Sequence, residues 1–340
     1  MPYLRNAWYC CAYSNEVDRK PLGRILLDQP VVVFRKTDGG VAALSDVCPH
    51  RFAPLHQGKL ENEILSCPYH GLGFDSAGAC VHNPNGDGRI PPRSSIRTYP
   101  VVERQGVVWI WMGDCDVADW SSIVDLELLG GDDGPRVSGY IRMDADYRLI
   151  IDNLLDLNHA PYLHPGTLSP EGATREARFE RGVQTAASHY LMRSVPTPAS
   201  QRLWFEDPVG DYHVSMEWIA PSVLRQSIAM TGEGNAREGG AMMKGVHLLT
   251  PESATSTHYF WAASRNRRVE DKDLDQKFRT FVEQAFLNED GPMIKACQRN
   301  MAGREFSDLK PLFLDTDVAA GHARVTLEKM IAAESERQNT

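Results

Sequence analysis

Short alternating runs of apolar and polar residues, separated by turn-forming residues, dominate the first 115 residues of the chain. The segment "VVVFRKTDGGVAAL" has two β-rich runs on either side of Asp38, which predicts a β-hairpin. The segment "TYPVVERQGVVWIWMG" repeats this pattern around Gln105, and "GLGFDSAGAC" predicts another pair of strands. These patterns predict an all-β domain over residues 1–127. Residues 128–139, "LLGGDDGPRVSG", are rich in Gly, Asp and Pro and predict a linker.

The pattern changes after the linker. The segment "DYRLIIDNLLDLNHA" is long enough for a helix and has no internal Pro or Gly, and we expect Pro161 to kink or end that helix. Residues 184–266 contain alternating runs that predict strands, including "SHYLMRSV", "YHVSMEWIA" and "THYFWAAS". A last amphipathic helix is predicted from Asp271 onward. Residues 140–340 are therefore predicted to form an α+β domain, an antiparallel sheet with one helix early and another late.

Composition narrows the class of protein. The 340 residues suffice for two domains, and 42% hydrophobic with 24% charged residues is a globular profile. The net charge of −9 argues against a nucleic-acid partner, which needs a basic surface. The longest apolar runs are too short for a membrane span, and "MPYLRNAWYC" does not resemble a secretory leader. The seven cysteines are irregularly spaced and do not indicate a disulfide framework, so we expect a cytoplasmic protein.

The segment "CPHRFAPLHQGKLENEILSCPYH" contains the most specific chemical signal in the chain. Cys48 and His50 are two residues apart, Cys67 and His70 are three apart, and sixteen residues separate the two pairs. A zinc site usually pairs Cys with Cys and His with His, whereas here each loop carries one thiolate and one imidazole. That division suits a [2Fe–2S] cluster in which two Cys hold one iron and two His hold the other. A structural zinc is the alternative.

The residues around these four ligands carry a family resemblance. "CPHRFAPL" and "CPYHGLGFD" resemble the Rieske domain of aromatic-ring oxygenases. Neither loop has a spare Cys, so the segment does not resemble the respiratory Rieske proteins, whose loops carry an additional disulfide-forming pair.

A second candidate metal centre lies in "DNLLDLNHAPYLH". Asp152, Asp156 and His159 would share one face of a helix, and His164 follows five residues later. On this segment alone, solvated acids and a histidine at a helix end are the simpler interpretation. A mononuclear Fe(II) centre needs two His and one carboxylate, and Asn153 or a distant acid could complete it.

Asp290, in "AFLNEDGPM", is the candidate for that distant acid. It continues by four residues the spacing of Phe278, Val282 and Phe286, and should therefore point inward with them. A buried carboxylate is costly unless it is paired or bound to a metal. Neighbouring Glu289 is the rival ligand, but it would lie about 100° away around an α-helix.

The resemblance extends over nearly the whole chain. The opening "RNAWYCCAYSNEVDRKPLGR" and the late "TPESATSTHYFWAASRN" resemble the Rieske oxygenases that O-demethylate aromatic acids, the family of vanillate O-demethylase and dicamba monooxygenase. This implies a helix-grip catalytic domain and a homotrimer. It also implies specific roles: Cys48, His50, Cys67 and His70 as cluster ligands, His159, His164 and Asp290 as iron ligands with Asn153 nearby, and Asp156 as the bridge to a cluster histidine of a neighbouring subunit.

The same resemblance gives an expected reaction. The chain would be the terminal oxygenase component that uses O2 to hydroxylate a methoxy carbon, releasing a phenol and formaldehyde. Gln226 and His247 are the candidate substrate contacts. No dinucleotide fingerprint is found, so NAD(P)H would act only through a separate reductase, with or without a ferredoxin. A ring hydroxylase or dihydroxylase on the same scaffold, and a Rieske electron carrier, are the rival functions.

Overall fold

The computed structural model describes residues 3–130, 137–165, 167–170 and 173–338. The chain divides into two compact units. The N-terminal unit comprises Pro2–Asp125 with Thr250–Ser253, and the C-terminal unit comprises Leu126–Leu249 with Ala254–Thr340. The predicted linker, residues 128–139, overlaps a short helix, α1 (Glu127–Gly130), and the first residues of a strand that begins at Val137. Residues 131–136 of that linker lie outside the described residues.

The N-terminal unit is all-β, as predicted. Its described strands are β1 (Trp8–Tyr13), β2 (Leu22–Leu26), β3 (Gln29–Arg35), β4 (Val41–Ser45), β5 (Lys59–Glu61), β6 (Ile64–Ser66), β7 (Gly73–Phe74), β8 (Cys80–His82), β9 (Val101–Arg104) and β10 (Val107–Trp111). They form antiparallel sheets in the orders β1-β10-β9, β2-β3-β4 and β5-β6-β7-β8.

The predicted hairpins are confirmed. Strands β3 and β4 pair in register from Val31 with Ser45 onward, around the turn that contains Asp38. Strands β9 and β10 are joined by Gln105 and Gly106, whose φ angles are 54° and 74°. Two residues with positive φ are what a tight two-residue hairpin turn requires.

The C-terminal unit is built on one antiparallel sheet. The described strands are β11 (Val137–Met143), β12 (Glu176–Arg181), β13 (Thr185–Pro196), β14 (Val209–Ile219), β15 (Val223–Thr231), β16 (Ala241–Ser253) and β17 (Ser256–Arg265). They are ordered β11-β17-β16-β15-β14-β13-β12. The runs that alternate in the sequence are therefore strands, and the predicted α+β class is confirmed. The final residues of β16 belong to the N-terminal unit.

The helices differ from the prediction. Helix α2 (Tyr147–Leu155) starts at its N-cap Asp146 and ends before Asp156, so it is shorter than predicted. Pro161 does not end this helix; it lies in the first turn of a separate short helix, α3 (Ala160–Leu163), where a missing amide hydrogen is harmless.

The late helix has several parts. Helix α4 (Lys272–Gln284) continues into a π-helical segment (Ala285–Asp290) and then helix α5 (Gly291–Met301). Helix α6 (Val318–Gln338) follows and packs on α2, β12 and β13, so α4 is not the last helix. The buried face of α6 includes Arg324 and Glu334, which breaks the apolar period that would reveal it in sequence. None of the described helices is long and apolar enough to cross a membrane.

Candidate metal centres and substrate cavity

The two cysteine loops of the N-terminal unit have the same backbone hydrogen bonds. One loop follows β4 and the other connects β6 to β7. In each loop the cysteine carbonyl accepts from the amide four residues later, and the cysteine amide donates to the carbonyl five residues later. The four bonds are Phe52 N to Cys48 O (2.9 Å), Gly71 N to Cys67 O (3.1 Å), Cys48 N to Ala53 O (2.9 Å) and Cys67 N to Leu72 O (2.8 Å).

The same position of each loop is left-handed. Phe52 has a φ of 59° and Gly71 has a φ of 75°. A non-glycine residue pays about 1–2 kcal/mol for this conformation, so the strain at Phe52 is retained by the surrounding structure. Gly71 also has no room for a side chain, because an added Cβ would lie 2.7 Å from Cγ of Pro84.

These loops fit a cluster with two thiolate and two imidazole ligands. Cys48 and Cys67 are 1% and 3% exposed. Burial, and next the Cys67 thiol, raise the pKa of Cys48, although hydrogen bonds from the amides of His50 and Arg51 oppose the rise. The rings of His50 and His70 lie 4.5 Å apart between centroids; His50 is exposed and His70 is half-buried, whereas both cysteines are buried. The thiols would hold one iron of such a cluster and the imidazoles the other.

The surface beside the imidazoles is partly apolar. Phe52 is 77% exposed and Tyr69 is 61% exposed. A cavity of about 410 Å³ adjoins His50 and His70 and is also lined by Arg93. The guanidinium of Arg97, four residues after Arg93, donates to the carbonyls of residues 112 and 113 (3.0 and 2.6 Å).

In the C-terminal unit, His159, His164 and Asp290 come together. His159 precedes α3 and His164 follows it, while Asp290 ends the π-helical segment. One ligand atom from each lies within 4.8 Å of the others. Asp290 Oδ1 is 3.4 Å from His159 Nε2 and 3.2 Å from His164 Nε2. Two atoms each about 2.1 Å from one ion, at a right angle, lie about 3 Å apart, so the group fits an iron with open positions.

Electrostatics hold Asp290 ionised. Burial by itself would raise the pKa of this carboxyl, but hydrogen bonds and charge from His159 and His164 hold its pKa well below the ordinary value. Asn153 Nδ2 donates to Asp290 Oδ1 (3.0 Å) and thereby fixes the carboxylate from α2. Burial would lower the pKa of His164, but Asp290 and Glu289 raise it.

Glu289 has a role that sequence reasoning did not find. We considered it a rival ligand on a different helix face. Its Oε2 instead lies 2.5 Å from His164 Nδ1, while Asp290 faces Nε2 of the same ring. A ligating histidine commonly places its other nitrogen against a carboxylate, which fixes the ring and its tautomer. The signal available in sequence was only the adjacency of two acids.

The prediction that two acids and a histidine share one helical face is wrong. Because α2 ends at Leu155, Asp152, Asp156 and His159 do not share a helical face. Asp152 pairs with Arg324 of α6. Asp156 is the C-cap residue of α2. Its side chain accepts from Asn158 N (2.8 Å), and its carbonyl is hydrogen-bonded to His159 Nδ1.

A largely apolar cavity of about 90 Å³ adjoins the three metal-ligating candidates. Its wall on the sheet side comes from one face of three neighbouring strands, because the register pairs Met192 with Tyr212, Met216 with Gln226, and Val214 with Ile228. These side chains line the cavity together with Phe286 from the π-helical segment. Gln226 and the hydroxyl of Tyr212 are polar groups on this face, and that hydroxyl donates to the carbonyl of Leu168 (3.0 Å).

His247 is not among the residues that line this cavity. The strand register places His247 on the same sheet face as Gln226. Gln226 pairs with Gly245, and Gly245 lies two residues before His247 on β16. Its Nδ1 is 2.6 Å from the hydroxyl of Tyr259, and among the described residues its buried Nε2 has no hydrogen-bond partner. Burial lowers the pKa of His247 to about 4, so the ring is neutral at pH 7. If Tyr259 donates to Nδ1, the proton of the ring is on Nε2.

A small β-unit with a Cys₂His₂ pair of loops, joined to a sheet that carries a two-histidine, one-carboxylate group, defines the class of Rieske non-heme iron oxygenases. Comparison with known proteins agrees. The Rieske [2Fe-2S] domain family matches residues 7–100, and the vanillate O-demethylase oxygenase C-terminal domain family matches residues 143–333.

Individual relatives match over the whole length. The dicamba O-demethylase oxygenase component of Stenotrophomonas maltophilia is 40% identical and covers 97% of this chain and 98% of its own. The chloroacetanilide N-alkylformylase oxygenase component of Rhizorhabdus wittichii is 37% identical, covering 98% of this chain and 97% of its own. The crystal structure of dicamba monooxygenase bound to 3,6-dichlorosalicylic acid has a TM-score of 0.92 at 38% identity, covering 98% of this chain and 99% of that one.

The chain belongs to the Rieske oxygenases of the vanillate O-demethylase family. The expectation that it is the oxygenase component of a Rieske non-heme iron monooxygenase is confirmed, and the electron-carrier and dihydroxylase alternatives are not favoured.

Proposed function

We propose that this protein O-demethylates a methoxylated aromatic acid, using O2 and electrons from a separate reductase, directly or through a ferredoxin. The observation that carries the proposal is the position of the cavity. It joins a largely apolar sheet face that carries Gln226 to the group of His159, His164 and Asp290. An apolar cavity with few polar groups suits a small aromatic ligand.

The metal ligands follow from the two groups of side chains. We assign Cys48 and Cys67 to one iron of the cluster, and His50 and His70 to the other. The mononuclear iron would be held by His159, His164 and Asp290, with Asn153 orienting the carboxylate. When bound, the two centres supply electrons and activate O2 beside the substrate. The protein contributes ligand geometry, an apolar cavity that limits water, and substrate orientation.

Gln226 and His247 would orient the substrate. The amide of Gln226 can donate to the carboxylate inside the cavity. Because the pKa of His247 is about 4, its contact with the carboxylate would be a hydrogen bond from neutral Nε2–H rather than an ion pair. A bond from a neutral donor to a carboxylate still contributes about 1.5–3 kcal/mol.

A homotrimer is part of the proposal. Electrons would pass from the cluster of one subunit, through Asp156, to the iron of a neighbouring subunit. Two features support this arrangement. The exposed ring of Tyr69 lies 4.0 Å from that of His70 between centroids, and exposed Phe52 follows His50 by two residues, which suits burial against another subunit. Asp156 lines a surface cleft of the C-terminal unit and its carbonyl contacts His159. The expected cytoplasmic location stays a prediction.

Product analysis tests the reaction. Purified protein supplied with a reductase, NADH and a panel of methoxybenzoates should release one formaldehyde for each O2 consumed with at least one substrate. A cis-diol without formaldehyde would contradict O-demethylation and favour a dihydroxylase.

Two variants test the metal assignment separately. Asp290→Ala should lose the mononuclear iron and turnover. It should keep the visible spectrum of the cluster, because the cluster ligands lie in the N-terminal unit. Cys67→Ser should bleach that spectrum. Full iron content and turnover in Asp290→Ala would show that the assignment is wrong.

A further inference from the structure

The cavity beside the metal group is too small for the proposed substrate. Its volume is about 90 Å³, whereas sites for small ligands usually enclose about 300–1,000 Å³. A substituted benzoate can therefore enter only if a side chain of the wall moves. The moving side chain should be large and should line the cavity. It should also separate the cavity from a group that a ligand can contact once the side chain has moved.

Phe286 meets these conditions. It lines the cavity from the π-helical segment and is 9% exposed. On its other side, its ring centroid lies 4.8 Å from that of Tyr259 and 6.1 Å from that of His247. Phe286 therefore contacts both the cavity and His247, and His247 itself does not line the cavity.

The unpaired ring nitrogen of His247 indicates that a ligand atom should bind beside this histidine. Its Nε2 is buried and, within the described part of the chain, makes no hydrogen bond. Leaving a buried polar atom unpaired costs about 1–3 kcal/mol, which a ligand oxygen would recover. Its Nδ1 is already engaged by Tyr259, so Nε2 is the atom left for a ligand.

We propose that Phe286 determines which substrates the cavity admits, and that displacement of its ring gives the substrate carboxylate access to His247 Nε2. This inference rests on the proposed function in taking the ligand to be an aromatic acid. The size of residue 286 then limits the size of the substrate ring, and the histidine contact forms only after the ring has moved.

Binding measurements test the size limit without turnover. Calorimetric titrations of the oxidised, anaerobic enzyme with benzoate and with 2-naphthoate give the ratio of the two affinities. In Phe286→Ala the ratio should shift toward naphthoate by about tenfold or more, since one methylene in an apolar pocket already changes specificity by about tenfold or more. Phe286→Leu should shift it in the same direction by less, and provides a test if the alanine variant does not fold.

Phe278→Leu is the matched control. Phe278 lies on α4 and contacts Trp204 (5.4 Å between ring centroids), and it does not line the cavity. This variant should keep the wild-type affinity ratio. An unchanged ratio in both Phe286 variants would overturn the inference.

Chemical modification tests the access to His247. Diethyl pyrocarbonate acylates exposed imidazole nitrogens, and mass spectrometry of peptides locates the product. His247 should be protected in the wild type and acylated in Phe286→Ala; continued protection would contradict the claim that Phe286 covers it. Absence of formaldehyde from every methoxybenzoate would instead refute the proposed function, and would leave these two results standing.

Discussion

Two consecutive acids, Glu289 and Asp290, contact opposite nitrogens of the same imidazole. Asp290 faces His164 Nε2, the nitrogen assigned to iron, and Glu289 faces Nδ1. The two carboxylates therefore have different functions although they are neighbours in the chain. Glu289 orients the ring and favours the tautomer in which Nε2 carries a lone pair toward the metal.

Glu289→Ala should weaken binding of the mononuclear iron by about 10- to 100-fold, because the imidazole loses the partner that orients it. Competition with a chelator measures the iron affinity, and the visible spectrum of the cluster should be unchanged. Glu289→Gln keeps an acceptor for Nδ1–H and should lose less affinity. Wild-type affinity in the alanine variant would contradict this role.

His247 should also make stability depend on pH. Its pKa is about 4 in the folded chain and about 6.5 when unfolded. Between these values the unfolded chain binds a proton that the folded chain does not, so the free energy of unfolding falls as pH falls.

From pH 7 to pH 5, this residue should lower the free energy of unfolding by about 2 kcal/mol. Denaturant unfolding of wild type and His247→Gln at both pH values measures the effect, since other titrations cancel in the difference. Equal pH dependence in the two proteins would show that His247 is not buried as a neutral ring.

Among the elements, the π-helical segment brings Asp290 to the two histidines of the metal group. Its hydrogen bond from Gly291 N to Phe286 O spans five residues instead of four. This wider turn presents Phe286 to the cavity and both acids to His164 within a few residues. π-Helical turns are rare and often occur at functional sites.

Gly291→Ala should disrupt this segment. An added Cβ would lie 2.5 Å from Phe286 O, which accepts the bond that defines the π turn. We expect a loss of mononuclear iron with the cluster spectrum intact. Gly321→Ala in α6 is the control, because its Cβ would approach the Phe313 ring no closer than 3.4 Å and iron should be retained. Equal iron content in both variants would be evidence against the role of the π turn.

At the scale of the whole molecule, the two units divide the chemistry between them. The Cys₂His₂ loops lie in the N-terminal unit, and the histidine–carboxylate group lies in the C-terminal unit. In the proposed trimer, electrons would cross from one chain to the next, and Asp156 would be the connecting residue. Its carboxylate is free to contact another chain through Oδ2, because its described hydrogen bond to Asn158 N uses Oδ1.

Asp156→Asn should keep both metal centres and the bond to Asn158, while removing the charge. Reduced cluster in this variant should no longer be reoxidised rapidly by O2 in the presence of substrate, which stopped-flow absorbance measures. Asp317→Asn is the control: Asp317 lines the same cleft and accepts from Leu314 N (2.7 Å), with no described contact to His159. Normal reoxidation in Asp156→Asn would refute the bridge.

The sequence by itself determined the features that depend on nearby residues. Hairpin turns, alternating strands and the spacing of Cys48, His50, Cys67 and His70 all act within a few residues, so their patterns are legible without a structure. The inward direction of Asp290 also followed from its spacing after Phe286, although the helix there is of a different type.

Tertiary structure decided what depends on contacts between distant segments. Glu289 meets His164 across 125 positions of sequence, and no local pattern encodes that pairing. Helix α2 ends at Leu155 rather than continuing to His159. The packing face of α6 includes buried polar residues, so the sequence of this helix shows no clear apolar period. His247 is neutral because it is buried, and its ring contacts that of Phe286; both features depend on the packing of the sheet against the helix and not on either segment alone.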